Sequence, residues 1–168
     1  MNMIEKLNLL SNHEKALNRY YTIELNDFQK APFERIWNGT NYVDLDCERA
    51  VGKTTLGWVL GGTFALLGQT SLMVFPRKTL CDYNYFLSIL HDDVKEKYLE
   101  SVTDKVIRFN TGGRILLTTS EYAQENLMGI RGHFQYFDEF TIWPDKAQNA
   151  IDNNSILRCE KTLIFGSR

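Results

Sequence analysis

The chain has 168 residues, 43% hydrophobic and 24% charged, with three prolines and a formal charge of −2. That composition fits one globular core and argues against a protein that coats nucleic acid by bulk positive charge, while leaving room for a local basic patch. Its three cysteines, Cys47, Cys81 and Cys159, are far apart and form no C-x-x-C, so free thiols in a reducing cytoplasm are expected and no metal site.

In chain order, "MNMIEKLNLLSNHEK" carries acids among its apolar residues and no small-residue cleavage site, so no signal peptide is expected. Ile4, Leu7, Leu10 and Leu17 recur at helical spacing, which predicts an appended N-terminal helical extension over residues 1–24. "LNDFQKAPFERIWNG" reads as a helix capped by Asn26 or Asp27 and stopped by Gly39, and the sequon at Asn38 reads as a turn. "YVDLD" alternates as a strand does and leads into "CERAVGKTT". A helix is predicted from Thr54 to Leu67, closed by Gly68. Its apolar run is too short for the ~20 residues that span a bilayer, so a buried helix is expected. "SLMVF" is a strand ended by Pro76, and "TLCDYNYFLSILHDDVKEKYL" reads as one helix with Leu80, Tyr83, Leu87 and Leu90 on one side. "KVIRF" and "RILLTT" form a hairpin that turns at Gly112-Gly113. "HFQYFDEF" and "KTLIFGS" are the last two strands. Strands alternating with helices predict an α/β fold, a mostly parallel sheet flanked by helices.

The chemistry concentrates in two stretches. Gly52-Lys53-Thr54 ends a variant of the phosphate loop G-x-x-x-x-G-K-[ST], with Cys47 where the first glycine usually stands. Such a loop needs a strand before it, backbone amides aimed at the anion, and a helix N-terminus behind it. All three are expected here, so Lys53 is assigned to the β- and γ-phosphates and the Thr54 hydroxyl to Mg²⁺. A bare G-K-T also fits a helix start with a solvated lysine; the strand–loop–helix context favours the nucleotide. Downstream, Asp138 and Glu139 end a run of aromatic residues, where an accidental double charge would be costly to bury. Asp138 is assigned to the metal and Glu139 to the attacking water as general base.

With these residues the chain resembles the ATPase domain of the large terminase subunit, the DNA-packaging motor of tailed bacteriophages and herpesviruses, from about Leu25 onward. "LNDFQK" is similar to that family's adenine-recognition motif, which implies that Gln29 reads the base and Phe28 packs beside it. "CERAVGKTT" resembles the family's own Walker A variant. The resemblance implies ATP binding along Cys47, Glu48, Arg49, Ala50, Val51, Gly52, Lys53, Thr54 and Thr55, with Arg49 acting in cis on the γ-phosphate. "TTSEYAQENLMGIRG" resembles the stretch before Walker B, which makes Arg131 a candidate finger for a neighbouring subunit. "FQYFDEF" matches Walker B with its catalytic glutamate. "KTLIFGS" looks like the strand of the coupling motif, with Ser167 as its sensor, although Gly166-Ser167-Arg168 departs from the family's Ser/Thr-rich triplet ending in proline.

The resemblance implies a RecA-like, ASCE-type P-loop NTPase core over residues 25–168. It also implies Mg-dependent ATP hydrolysis that drives double-stranded DNA into a procapsid. The expected partners are ATP, DNA, the portal protein and the small terminase subunit, in a pentameric ring and without a membrane. The expected place is the host cytoplasm, transiently at the portal vertex. The family's lid subdomain and nuclease domain have no counterpart in the sequence, so DNA cleavage is not expected of this chain. Two alternatives stay open: a helicase or translocase of the same class, and a nucleotide-binding assembly module without turnover. Elsewhere, Arg77 and Lys78 are read as a solvated loop, His91-Asp92-Asp93 as exposed charges, Tyr83, Tyr85 and Phe86 as core, and Trp143-Pro144 as loop packing.

Overall fold

The computed structural model describes residues 13–48, 51–122, 131–145, 148 and 159–167. The helices are α1 (His13–Tyr20), α2 (Asp27–Trp37), α3 (Lys53–Leu66), α4 (Tyr83–Ile89) and α5 (Asp92–Tyr98). The strands are β1 (Tyr42–Cys47), β2 (Thr70–Phe75), β3 (Leu99–Val102), β4 (Val106–Phe109), β5 (Arg114–Thr119), β6 (Gly132–Phe137) and β7 (Cys159–Ser167). They form one seven-stranded sheet in the order β1-β7-β6-β2-β5-β4-β3. The five strands from β1 to β5 in that order run parallel, and β4 and β3 add an antiparallel edge. This is the mostly parallel α/β sheet that the alternation of strands and helices predicts.

Side chains alternate across a sheet, and the core divides accordingly. Met73, Phe75, Phe134, Tyr136, Leu163 and Phe165 join the larger cluster on one face, where the five described helices bury their apolar residues. Leu72, Val74, Phe137 and Ile164 lie on the other face with Trp143. Helix α3 is buried on nearly all sides from Leu56 onward, as its uninterrupted apolar sequence requires. Gly57 lets it lie close to the sheet: a Cβ there would come within 2.7 Å of the Tyr136 ring. No helix among the described residues is long and apolar enough to cross a membrane.

Three expectations change. Residues 79–99 are not one helix. Asp82 caps α4 by accepting from the Asn84 and Tyr85 N–H groups, which leaves Leu80 outside the helix and exposed. Leu90 and His91 are extended: Leu90 bridges to Tyr21, and the His91 N–H donates to the Tyr20 carbonyl at 3.1 Å. Pairing with the N-terminal segment thus overrides local helical periodicity. Leu99, read as the last residue of that helix, instead opens the edge strand β3, which the sequence did not announce, with a bulge between Leu99 and Ser101. The strand expected through Phe140 ends at Phe137, and Asp138 and Glu139 lie in the turn after it. Among the appended residues, those before His13 lie outside the described residues.

Candidate nucleotide-binding and hydrolysis site

In an open parallel sheet, ligands bind beyond the carboxyl ends of the strands. Three strand ends meet here: β1 runs into the phosphate-loop sequence, β6 ends before Asp138, and β7, hydrogen-bonded to both, ends at Gly166 and Ser167. Gly52 caps α3 with a left-handed φ of 88°, a conformation that glycine adopts without steric cost. Behind it, the first turn of α3 points its N-terminal N–H groups and the positive end of the helix dipole toward this edge of the sheet.

The polar side chains converge from far apart in sequence. The Thr54 hydroxyl donates to Asp138 Oδ2 at 3.2 Å. Lys53, only 5% exposed, places Nζ 3.2 Å from Glu139 Oε1 and 3.2 Å from the Gly166 carbonyl. A single ammonium therefore touches the acid after β6 and the backbone at the end of β7. Thr54 and Asp138 offer hard oxygen donors side by side, a set that fits magnesium, which binds through one or two protein oxygens and keeps several waters.

Asp138 is 3% exposed. Burial raises its pKa above the ordinary carboxyl value; hydrogen bonds from Tyr136 and Thr54 oppose that rise and the charge of Glu139 adds to it. The Tyr136 hydroxyl donates to Asp138 Oδ1 at 2.6 Å. Burial, with the carboxylate beside it, holds the Tyr136 pKa far above normal, so that hydroxyl stays a donor. The Trp143 indole donates to the Asp138 carbonyl at 2.7 Å, and the Asp138 N–H donates to Val74 on β2 at 2.9 Å. The carboxylate and its backbone are thus pinned from several directions. Glu139 follows with a φ of 51°, a left-handed conformation that costs a non-glycine residue about 1–2 kcal/mol.

The remaining predicted residues divide. Gln29 is buried, and its amide donates to the Gly52 carbonyl at 2.8 Å. The Phe28 ring packs on Phe165 with centroids 6.2 Å apart. Cys47 ends β1, with its thiol pKa raised by burial against the opposing pull of Lys53. Glu48 is exposed and Val51 half-buried. Thr55 Oγ1 lies 2.7 Å from the Tyr85 hydroxyl, which corrects the reading of Tyr85 as core: it is an exposed residue of α4. Arg49 and Ala50 lie outside the described residues, as does the side chain of Ser167. Arg131 is exposed and immediately precedes β6. It lies at the opposite end of that strand from Asp138, about 20 Å away at the rise of an extended chain. It is therefore not brought to its own chain's site.

Sequence reasoning missed Tyr136, Trp143 and the Gly166 carbonyl as parts of this site. Tyr136 was legible in principle, because it stands two residues before Asp138, near the end of the strand that leads into the acids. Trp143 was not, since its bond reaches back to a backbone carbonyl across a turn.

The sheet order, the glycine-capped helix after β1, and the acids after β6, one strand removed from β1, together define a RecA-like α/β fold. In fold the chain is similar to the ATPase domain of the large terminase of Thermus phage P74-26, with a TM-score of 0.66 and 14% identity, over 91% of this chain and 68% of that one. A mutant form of that domain gives 0.65 and 16% over the same shares. The SWI2/SNF2 ATPase core of Sulfolobus solfataricus, solved with double-stranded DNA, gives 0.59 and 15%, over 87% of this chain and 32% of that one. At these identities the likeness is one of fold. No family and no curated protein matches the chain by sequence.

Proposed function

We propose that this chain is the ATPase core of a viral DNA-packaging motor, hydrolysing ATP to ADP and phosphate. The observation that carries the reading is the contact of Thr54 with Asp138 at 3.2 Å, beside Lys53 on Glu139. It joins the end of the phosphate loop to the acids after β6, as triphosphate hydrolysis requires. Residues 25–168 are the catalytic core and residues 1–24 its extension. Lys53, with Arg49, neutralises the γ-phosphate as charge moves onto it, while Glu139 orients the attacking water and accepts its proton. Thr54 and Asp138 would hold Mg²⁺, which would supply charge neutralisation to the triphosphate. Arg131, remote from its own site, is suited to a neighbour's site in a ring.

Lys53 also supplies a route for coupling. A γ-phosphate competes for the ammonium with Glu139 and with the Gly166 carbonyl. Loading and loss of that phosphate are then felt at once by the general base and by the end of β7, where Ser167 is the sensor. Double-stranded DNA, the portal protein and the small terminase subunit are the partners of this reading, with the work done at the portal vertex in the host cytoplasm. The fold likeness to the SWI2/SNF2 core favours, as second reading, a double-stranded DNA translocase outside packaging.

Phosphate release with and without double-stranded DNA tests the enzyme. Lys53→Ala is expected to lose ATP binding, and Glu139→Gln to bind ATP without turning it over. Turnover by Glu139→Gln near the wild-type rate would sink the assignment of the base. Incorporation of DNA into portal-bearing procapsids separates packaging from other translocation.

A further inference from the structure

We propose that Asn26 and Gln29 brace the phosphate loop instead of reading the base, so that the site discriminates weakly among nucleobases. The proposal rests on the triphosphate reading above, and both side-chain amides are occupied in the same way. At one end they close the cap of α2: Asn26 Oδ1 accepts from the Gln29 N–H at 3.0 Å, and Gln29 Oε1 accepts from the Asn26 N–H at 2.8 Å. At the other end they donate to two successive loop carbonyls, Asn26 Nδ2 to Val51 at 3.3 Å and Gln29 Nε2 to Gly52 at 2.8 Å.

That arrangement has a purpose in an anion site. A phosphate loop works only if its N–H groups face the ligand and its carbonyls face away. Two amide donors from α2 hold the carbonyls of Val51 and Gly52 outward. The approach is close enough that a Cβ on Gly52 would overlap Gln29 Nε2, so the glycine and the glutamine fit as a pair. Reading an adenine edge takes an amide that offers an acceptor to N6–H and a donor to N7 together. Gln29 is 4% exposed with both ends engaged, and has no such edge to present. Phe28, the expected companion of the base, is turned onto Phe165. Affinity then comes from the phosphates, which every nucleoside triphosphate shares.

The test is equilibrium binding of non-hydrolysable ATP and GTP analogues to the whole chain, alongside thermal melting. The wild type is expected to bind the two within about threefold of each other. Asn26→Ser keeps an N-cap acceptor but cannot reach Val51. It should weaken both analogues by about threefold, on the scale of one modest hydrogen bond, with only a small fall in melting temperature. Gln29→Glu still accepts from Asn26 but turns a carboxylate onto the Gly52 carbonyl, and should weaken both by about tenfold or more. A residue serving only as a helix cap would move the melting temperature and leave affinity alone. A wild-type preference for ATP above tenfold, abolished by Gln29→Glu, overturns the proposal and leaves the triphosphate site standing. Binding of neither analogue overturns both. Should Gln29→Glu fail to fold, the wild-type ratio and Asn26→Ser decide.

Discussion

Tyr136→Phe removes one oxygen atom and tests how the acid of the site is kept ionised. The Tyr136 hydroxyl donates to Asp138 Oδ1 at 2.6 Å, the short separation of a hydrogen bond to an ionised carboxylate. The ring itself should stay, fixed against Phe75 and Phe165 at 6.2 and 6.1 Å and against α3 at Gly57. No cavity beyond the hydroxyl opens, so the cost is that of the bond: about 1.5–3 kcal/mol for a hydrogen bond to a charged group. For a chain of this size that corresponds to a fall in Tm of roughly 3–12 °C. The sign with pH follows from the carboxyl. Burial already raises the Asp138 pKa, and the tyrosine bond opposes that rise. Without it the carboxyl ionises at still higher pH, and the acidic limb of the hydrolysis profile moves toward neutrality. The loss of stability should be largest near neutral pH, where the wild-type carboxylate is charged, and should shrink in mild acid. Urea unfolding at both conditions, with phosphate release measured across pH, reads all of this. A loss below about 0.5 kcal/mol near neutral pH, or one equal at both, would refute the reasoning.

Two further substitutions probe the neighbouring carboxyls. Asp138→Asn should abolish turnover yet lose its stability disadvantage at neutral pH. A buried acid with a raised pKa favours folding below its unfolded pKa, and that advantage is lost as pH rises through the folded value. The variant's unfolding free energy should therefore fall less than the wild type's between mild acid and neutrality, as urea titration would show. Glu139→Gly and Glu139→Ala should both be inactive, but the glycine variant should be more stable by about 1 kcal/mol, because only glycine occupies the φ of 51° without steric cost. Equal melting temperatures for the two would argue that no strain is stored there.

The elements legible in the sequence were those whose pattern is local. Strand β1, the glycine before α3 and the apolar run of β7 follow from alternation, φ > 0 chemistry and continuous burial. The break between α4 and α5 was not legible. It is made by Tyr20 and Tyr21, some seventy positions earlier, taking the backbone of Leu90 and His91 into β-type pairing. Strand β3 is hidden for a similar reason: its edge position and mixed exposure leave no clean alternation. In the site, Lys53, Thr54, Asp138 and Glu139 could be named from spacing and residue type. Their contacts with the Gly166 carbonyl and with Tyr136 depend on strand order, which single-sequence pattern does not encode. Gln29 shows the limit most clearly, since its hydrogen bond to the Gly52 carbonyl joins residues 23 positions apart and no local pattern announces it.

One fold can carry many functions, so whether this site turns nucleotide over is a question for its own chemistry. The energetics of the site bear on that question. Lys53, at the start of α3, and Asp138, after β6, are almost wholly buried in a molecule whose core is rich in aromatic residues. Charges in such places require desolvation that their mutual attraction does not fully offset, and apolar residues of similar volume often serve stability as well or better. Glu139 adds backbone strain to the same turn. A module that only bound nucleotide for assembly could keep Lys53 and Thr54 for the phosphates, but would gain nothing from a strained carboxylate poised 3.2 Å from that lysine. The stability forgone at Asp138 and Glu139 is concentrated where an attacking water would have to be aligned, and that placement favours an enzyme over a scaffold.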